Sequence, residues 1–277
     1  MDAAYLFIWW LLFFLIGLIN LPLTIIFFKK AFDLGYGFSK FLCLLLISYL
    51  IFLSGIARLL PFTTPVTYLF LLLLVFINLI ILSKNKKQFL SLIKKKWKRL
   101  VLQEIIFTAC LIGWSIVRGY QPDIRGLEKF MDLGFINSLL RSKYLPAPDM
   151  WFAGKAINYY WFGHFYTAVA TRLSTLPSYI TYNLMIATIL GLTANGVFSI
   201  VGTLVASLPK KFAGKAVAAG LLSVLLVCFA GNLHTPIYVY QNGLDKYWYP
   251  EATRFIGYNP ETNDKTIHEF PIYSFVV

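Results

Sequence analysis

The chain has 277 residues, of which 58% are hydrophobic and only 13% are charged, and its formal net charge is +13. An ordinary soluble domain carries about a quarter charged residues. Several apolar runs of about 20 residues therefore predict an integral α-helical membrane protein that has the lipid bilayer as a partner. The positive charge does not predict nucleic-acid binding, because the basic residues concentrate where cytoplasmic loops are expected.

Apolar runs long enough to cross the bilayer predict about six transmembrane helices. Four of them fill an N-terminal membrane region at residues 1–118, and two more follow at residues 178–231. The predicted spans are Ala4–Phe28, Phe38–Leu60, Phe62–Ser83, Leu100–Val117, Ser178–Ser207 and Phe212–Gly231. Pro22 is expected to kink the first span.

The basic residues predict the orientation of these helices. Lys84–Arg99 carries eight Lys and Arg residues, and Lys29 and Lys30 follow the first span. Such loops face the cytoplasm in most membrane proteins. We therefore expect a multi-pass protein of the cell membrane whose N-terminus and residues 119–177 are extracytoplasmic. The basic loop itself is interpreted as a topology determinant that also attracts anionic lipid.

Asn158–Leu176 is long enough to cross the membrane, but crossing would place Lys210, Lys211 and Lys215 outside. An interfacial amphipathic helix avoids this conflict with the positive-inside rule. Helical spacing supports it, because polar and apolar residues separate onto two faces. The polar face carries His164, Thr167, Ala168, Thr171, Arg172 and Thr175, and the apolar face Phe162, Phe165, Val169, Leu173 and Leu176. The alternative is a spanning helix whose polar face is buried in a bundle.

Residues 119–177 form the predicted extracytoplasmic acidic loop, and they hold four of the twelve acidic residues: Asp123, Glu128, Asp132 and Asp149. Gly126–Arg141 is predicted to be a short amphipathic helix that projects Glu128 and Asp132 from one face. Solvation or pairing with nearby basic residues would also explain these two carboxylates. Residues 232–277 form a second external segment, and its apolar end, FPIYSFVV, leads us to expect a fragment of a longer protein.

The order of these elements resembles that of the GT-C superfamily of membrane glycosyltransferases. An acidic external helix follows a transmembrane span, and a Pro-rich link then leads to an aromatic-rich interfacial helix. The resemblance implies a GT-C-like fold and a lipid-linked sugar donor.

One stretch of the sequence gives a more specific resemblance. GLEKFMDLGFINSLLRSKYLPAPDMWFAGKAINYYWFGH resembles the YYY-domain (Chlor_Arch_YYY) membrane proteins of archaea and bacteria. The resemblance extends well over Arg118–Leu208 and only in kind over the flanking helices. Trp161 replaces the third tyrosine of the family name and keeps an aromatic ring there. The terminal EFPIYSF is similar to a later segment of that family.

A sugar transferase of this kind needs a base for the acceptor hydroxyl and cations for the leaving lipid phosphate. The candidate catalytic residues are Asp132, Glu128, Asp149 and His164, with Asp132 preferred as the base. The candidate substrate-binding residues are Arg125, Arg172, Lys155, Tyr159, Tyr160 and Trp161. Arg118 is a further candidate for the phosphate. A hydrogen-bonded interfacial ring is the other explanation for His164. The histidines and carboxylates also permit a divalent metal, although no ligand spacing requires one.

Two other classes of protein remain open. A transporter or flippase would line a path with the polar face of Ser178–Ser207, where small and polar residues recur every four positions. Against it, the sequence suggests no broken-helix pair and no charged residue deep in a span. A non-catalytic membrane scaffold would need no acidic site. The sugar, the lipid carrier, the acceptor and the oligomeric state have no recognisable motif in this sequence.

Overall fold

A computed structural model describes residues 3–120, 122–124, 128–230, 240, 243, 257–258 and 265–266. The chain divides into two units, residues 1–221 and residues 222–277. Within the described residues, three helices are long and apolar enough to cross a membrane, and a bent helix pair adds a fourth. The all-α, membrane-type fold predicted from the sequence is thus supported, while the number of six spans stays a prediction.

The first predicted span is divided between α1, Ala3–Ile19, and α2, Leu21–Phe28, which are bent by 49°. Pro22 lies in the first turn of α2, where the lack of an N–H is tolerated because such groups have no partner within the helix. The nearby Leu23 N–H donates to the side chain of Asn78 at 2.9 Å. The predicted kink near Pro22 is confirmed.

Helix α3 spans Tyr36–Ile56. The loop that joins α2 to α3 folds around Asp33, which is fully buried. Its carboxylate accepts hydrogen bonds from the backbone of Gly35 and Gly37 and from the side chains of Ser199 and Gln103, at 2.6–3.1 Å. A buried carboxylate is costly unless donors surround it. Asp33 therefore ties the start of α3 to two later helices.

Helix α4, Thr64–Tyr120, contains both the third and the fourth predicted spans. Tyr68 donates to the carbonyl of Leu173, and Arg118 donates to the side chain of Asn183. Leu173 and Asn183 are about 10 residues apart, so at most about 36 Å of chain separates them. A straight helix would hold Tyr68 and Arg118 about 75 Å apart. Helix α4 must therefore bend back toward the end of the bundle at which it begins.

The basic segment 84–99, predicted as a loop, is helical and lies in the middle of α4. It contains no Gly or Pro, and its Lys, Leu and Gln residues favour helix. Apolar side chains of α4, including Phe89, pack in one cluster with residues of α2 and the following loop. Arg99 donates to the carbonyl of Phe32 at 2.9 Å, and Lys96 donates to that of Ala31 at 2.5 Å.

Helices α5, Lys129–Arg141, and α6, Trp161–Ser174, pack against each other. The run from Thr167 to Thr171 is buried throughout, and the hydroxyls of Thr171 and Thr181 lie 2.7 Å apart. The middle of the polar face predicted for this segment, Thr167, Ala168 and Thr171, is therefore buried, because α5 and α7 pack against α6. Both ends of α6 contact the same end of the bundle, since its beginning contacts α5 and its end contacts the start of α4.

Helix α7, Ser178–Ala206, corresponds to the fifth predicted span and packs along α4. Of the small and polar residues that recur every four positions in this span, four are buried: Ala187, Gly191, Asn195 and Ser199. A Cβ on Gly191 would lie 2.9 Å from the ring of Phe107. Small residues thus allow the two helices to approach closely.

The remaining elements are short. They are α8, Lys210–Ala213, α9, Ala216–Val224, a π-helix, Leu225–Phe229, and two antiparallel two-residue strands, β1, Gly257–Tyr258, and β2, Lys265–Thr266. The apolar stretch Ala216–Phe229 is shorter than the sixth span predicted at Phe212–Gly231. Most of the predicted second external segment lies outside the described residues.

The first unit has two chemically different ends. We call the end that carries α5 and α6 the acidic end. The opposite end, called the basic end, carries the loop of Asp33, the basic segment 84–99 and the end of α7, since Thr203 accepts from the Phe32 N–H at 3.1 Å. The basic residues that the sequence assigns to one side of the membrane therefore gather at one end.

One ion pair lies among the candidate spans. Lys40 is fully buried in α3 and contacts Glu104 of α4, and the Tyr36 hydroxyl donates to the same carboxylate at 2.8 Å. The Lys40 ammonium lies 4.8 Å from the centroid of the Phe107 ring. The bend between α1 and α2 shows that the statement that no helix pair is broken is wrong, which weakens the sequence argument against a transporter.

We predict that the acidic end is extracytoplasmic. In a variant whose three native cysteines are replaced, Lys143→Cys should react with a membrane-impermeant maleimide in intact cells. Lys98→Cys should react only after permeabilisation, because positively charged loops stay in the cytoplasm. Labelling of Lys98→Cys from outside would contradict this orientation.

We also predict that Glu104→Leu destabilises the protein by about 3–5 kcal/mol, because it leaves the buried Lys40 ammonium without a counter-ion. The double variant Lys40→Met/Glu104→Leu should recover most of that loss. The measurement is unfolding of the purified protein in detergent. Equal stability of the single and double variants would show that the pair has no energetic role.

Candidate active site

The centre of the acidic end is a contact between α5 and α6. His164 Nε2 lies 3.0 Å from Asp132 Oδ1, and the ring of Phe135 stands edge-on to the imidazole at 5.4 Å. A carboxylate can only accept, so Nε2 carries the proton in this pair. Nδ1 is buried and has no hydrogen-bond partner among the described residues. The imidazole therefore orients Asp132 from the buried side.

Helix α7 closes the cluster. The Tyr182 hydroxyl donates to Asp132 Oδ2 over 3.4 Å, which is long for such a bond. Arg118, at the end of α4, donates through two nitrogens to the side chain of Asn183 and is close enough to Tyr182 to interact electrostatically. We call Asp132, His164, Tyr182, Asn183 and Arg118 the outer polar cluster.

Two members of the outer polar cluster, Tyr182 and Asn183, were not predicted from the sequence. The only sequence signal for them is a pair of polar residues in the first turns of a span, next to the acidic segment. Such pairs are common at the ends of transmembrane helices, where Tyr is enriched. Nothing in the sequence shows that α7 would place them opposite Asp132.

The outer polar cluster is open to a ligand. The side chain of Asp132 is 30% exposed and that of His164 is 19% exposed. Asp132 also lies in the first turn of α5. The arrangement thus presents an oriented and accessible carboxylate.

The other predicted carboxylate on α5, Glu128, is exposed at the start of the helix. Its backbone carbonyl accepts from the Asp132 N–H at 3.0 Å. The pKa of Tyr159 is raised mainly by a hydrogen bond with Tyr160, and the negative charge of Glu128 contributes to the increase. Trp161 instead packs into the bundle against Phe52 and Phe165.

Asp149 lies apart from this cluster and organises its own loop. It begins a hairpin, residues 149–155, in which Asp149 Oδ1 accepts from the backbone of Trp151 and Phe152 at 2.8 and 2.9 Å. The Asp149 N–H donates to the Lys155 carbonyl at 2.8 Å, and Gly154 has a φ of +78° that suits glycine. The side chain of Asp149 thus stabilises a turn. Lys155 lies at the end of this turn and is exposed.

Arg172 is held as a structural residue in the described part of the chain. It donates to the carbonyl of Leu140 at 2.7 Å and to Thr64 at 3.3 Å, and its guanidinium lies 4.3 Å from the centroid of the Phe62 ring. Burial lowers the pKa of its guanidinium. Arg125, the other arginine predicted to bind substrate, lies outside the described residues.

No group of three or more His, Cys, Asp or Glu side chains within the described ranges is arranged to hold a metal ion. The other two histidines of the chain, His234 and His268, fall outside those ranges. The outer polar cluster has two such donors, Asp132 and His164, and they already contact each other. A divalent metal would need further ligands from elsewhere.

An apolar cavity of about 520 Å³ lies next to the outer polar cluster. It runs between α3, α6 and α7, and its wall includes Gly163 and Thr167, one residue before and three residues after His164. The cavity extends along α7 from Met185 to Gly196 and reaches Gly37 on α3. It therefore runs from residues that flank His164 in α6 toward the start of α3.

Sequence comparisons place the chain within one family and give no closer relative. No curated protein matches the chain, and no solved structure matches it. The family described as uncharacterized membrane protein (DUF2298) matches residues 46–277, which include every described member of the outer polar cluster. The chain belongs to this family of membrane proteins.

Proposed function

We propose that this protein transfers a sugar from a polyprenyl-phosphate-linked donor to an acceptor on the extracytoplasmic face of the membrane, in the manner of GT-C glycosyltransferases. The observation that carries the proposal is the contact between Asp132 and His164 at the acidic end. It provides an oriented, partly exposed carboxylate where a membrane-bound donor would present its phosphate.

Asp132 is the general base. It removes the proton of an acceptor hydroxyl while that oxygen attacks the anomeric carbon of the sugar. The bond from that carbon to the phosphate oxygen breaks, and the phosphate leaves with the electron pair on its lipid. His164 and Tyr182 hold the carboxylate toward the acceptor, so that the reacting atoms meet in a defined geometry.

Arg118 is the cation for the departing phosphate. Two of its nitrogens are fixed by Asn183, and the third makes no hydrogen bond to any residue in the described part of the chain. An arginine fixed in this way offers a planar charge that suits phosphate oxygens. We prefer Arg118 to Arg172 as the phosphate-binding residue, because the guanidinium of Arg172 already donates to the backbone of α5.

The apolar cavity beside His164 supports a lipid-linked donor. A donor whose phosphate lies near Arg118 must place its hydrocarbon chain inside the bilayer or against apolar protein surface. The cavity offers such a surface along α3 and α7. A water-soluble nucleotide sugar has no hydrocarbon chain that could occupy this cavity.

A transporter is the second candidate, because the buried pair of Lys40 and Glu104 and the bent pair of α1 and α2 favour it. Ionisable residues and broken helices within a membrane commonly mark substrate or ion pathways. The transferase is preferred because the accessible carboxylate lies at the acidic end, in one cluster with Arg118, where a lipid phosphate would lie. No feature of the described residues specifically favours a scaffold.

We predict that Asp132→Asn lowers sugar transfer by about 10²–10⁴-fold, because an amide cannot act as the base. The assay follows label from a polyprenyl-phosphate-linked sugar in membranes that carry the full-length protein. Asp123→Asn is the matched control, since Asp123 is an exposed carboxylate of the same loop and outside the outer polar cluster. Wild-type transfer by Asp132→Asn would refute the proposed base.

A double-mutant cycle tests the role of His164. If His164 acts only through Asp132, then His164→Ala should slow transfer in the wild-type background and have little further effect in Asp132→Asn. Fully additive losses would show that His164 acts on the substrate independently. Thermal unfolding midpoints of the variants provide the check on folding.

A further inference from the structure

A second cavity, of about 490 Å³, lies at the other end of α5 from Asp132. Unlike the apolar cavity along α7, it is lined by charged and hydroxyl-bearing side chains together with two prolines, one tyrosine and one methionine. Its lining residues are Ser138, Arg141, Ser142, Lys143, Tyr144, Pro146, Pro148, Asp149 and Met150. None of the functional residues of the outer polar cluster belongs to it.

The walls of this second cavity are fixed by hydrogen bonds. The Ser138 hydroxyl donates to the Pro148 carbonyl at 2.5 Å, and the Ser142 hydroxyl donates to the Ser138 carbonyl at 2.8 Å. On the far side, the Lys143 carbonyl accepts from the Phe62 N–H at 2.6 Å. The backbone that frames the cavity is therefore anchored to the helical bundle before any ligand arrives.

The charge of the cavity favours anions. Arg141 and Lys143 form no ion pair with any acidic residue of the described chain. The cavity's one carboxylate, Asp149, is already occupied by two backbone N–H donors. Arg141 also suits the end of α5, where the helix dipole favours cations, but Lys143 lies beyond that end. The lining of the cavity thus includes two cations and one carboxylate, a net charge of +1.

The apolar part of the wall favours a sugar over an inorganic anion. Tyr144 is 40% exposed, and its ring, with the two prolines and Met150, offers flat apolar surface beside the cations. Sugar rings have an apolar face of C–H groups and polar edges, which match such a wall. Serine hydroxyls and an arginine fork can bind the hydroxyl and carboxylate groups of such a ring.

We infer that this second cavity binds an acidic glycan, a sugar chain that carries carboxylates. Arg141 lies about 14 Å along α5 from Asp132, at 1.5 Å per residue. A glycan held at Arg141 and Lys143 could therefore extend along α5 and present its end to Asp132 as the acceptor. The acceptor role rests on the proposed function, whereas the binding of the glycan does not.

The experiment measures binding of a galacturonic acid trisaccharide to the full chain, purified in a non-ionic detergent, by isothermal titration calorimetry. The fully methyl-esterified trisaccharide is the neutral probe, and short-chain phosphatidylglycerol is the lipid probe. We expect the acid to bind in preference to both. Arg141→Gln/Lys143→Gln should weaken its binding about tenfold or more, as expected from the loss of charge-assisted hydrogen bonds.

Two controls make the result specific. Lys129→Gln removes a cation from the other end of α5 and should leave binding unchanged. The charge-preserving Arg141→Lys/Lys143→Arg should keep most of the binding, and it also serves if the glutamine variant fails to fold. Absence of binding to the wild type, unchanged binding to the glutamine variant, or binding of phosphatidylglycerol alone would overturn the inference.

Failure of this inference and failure of the proposed function can be told apart. Asp132→Asn should bind the acid trisaccharide like the wild type, because Asp132 is not part of the second cavity. Normal binding without any sugar transfer by the wild type would refute the transferase alone. Transfer that depends on Asp132, with no binding of the acid, would refute the acidic glycan alone.

Discussion

The close packing of α7 against α4 and α3 is the constraint on which the rest of the first unit depends. At Gly37, a Cβ would lie 2.7 Å from both the Asn195 carbonyl and Gln103 Nε2, so that only glycine allows these helices to meet there. The same pairing of α4 and α7 continues to Arg118 and Asn183 at the acidic end. Without this contact, Tyr182 would not face α5.

The two carboxylates inside this packing, Asp33 and Glu104, have hydrogen-bond donors around them, which lowers the cost of a charge away from water. Asp33 receives four donors, and Glu104 receives the Lys40 ammonium and the Tyr36 hydroxyl. Asp132 differs from both, because it has one good partner, one distant partner and exposed surface. This contrast is the reason for choosing Asp132, and neither of the two buried carboxylates, as the candidate for chemistry.

Sequence patterns predicted the elements of this fold better than their arrangement. Apolar runs identified the helices, and small residues at helical spacing identified the buried face of α7, because both depend on local periodicity. The return of the chain after the basic segment 84–99 was predicted, but the helical form of that segment was not, since it was interpreted as a loop. The burial of the middle of the polar face of α6 depends on the position of α5, which the sequence does not reveal.

For the candidate site, the sequence identified residue types and only part of their grouping. Asp132 and His164 stood out as polar residues in an apolar chain, and the structure brings them together. Asp149 has the same chemistry but forms a turn with its own neighbours. Its separation from Asp132 follows from the Pro-rich link between α5 and the hairpin. Spacing along the chain alone could not distinguish these two aspartates.

The hairpin at residues 149–155 has a further consequence for recognition at the acidic end. Its turn is ordered by its own backbone contacts, while Trp151 and Phe152 stay 69% and 64% exposed. A surface that is already in its binding conformation loses little entropy when a partner arrives. Large rings on such a rigid support give contact area at low cost in side-chain freedom. Selectivity at this end would then depend on shape, with no folding of the loop upon contact.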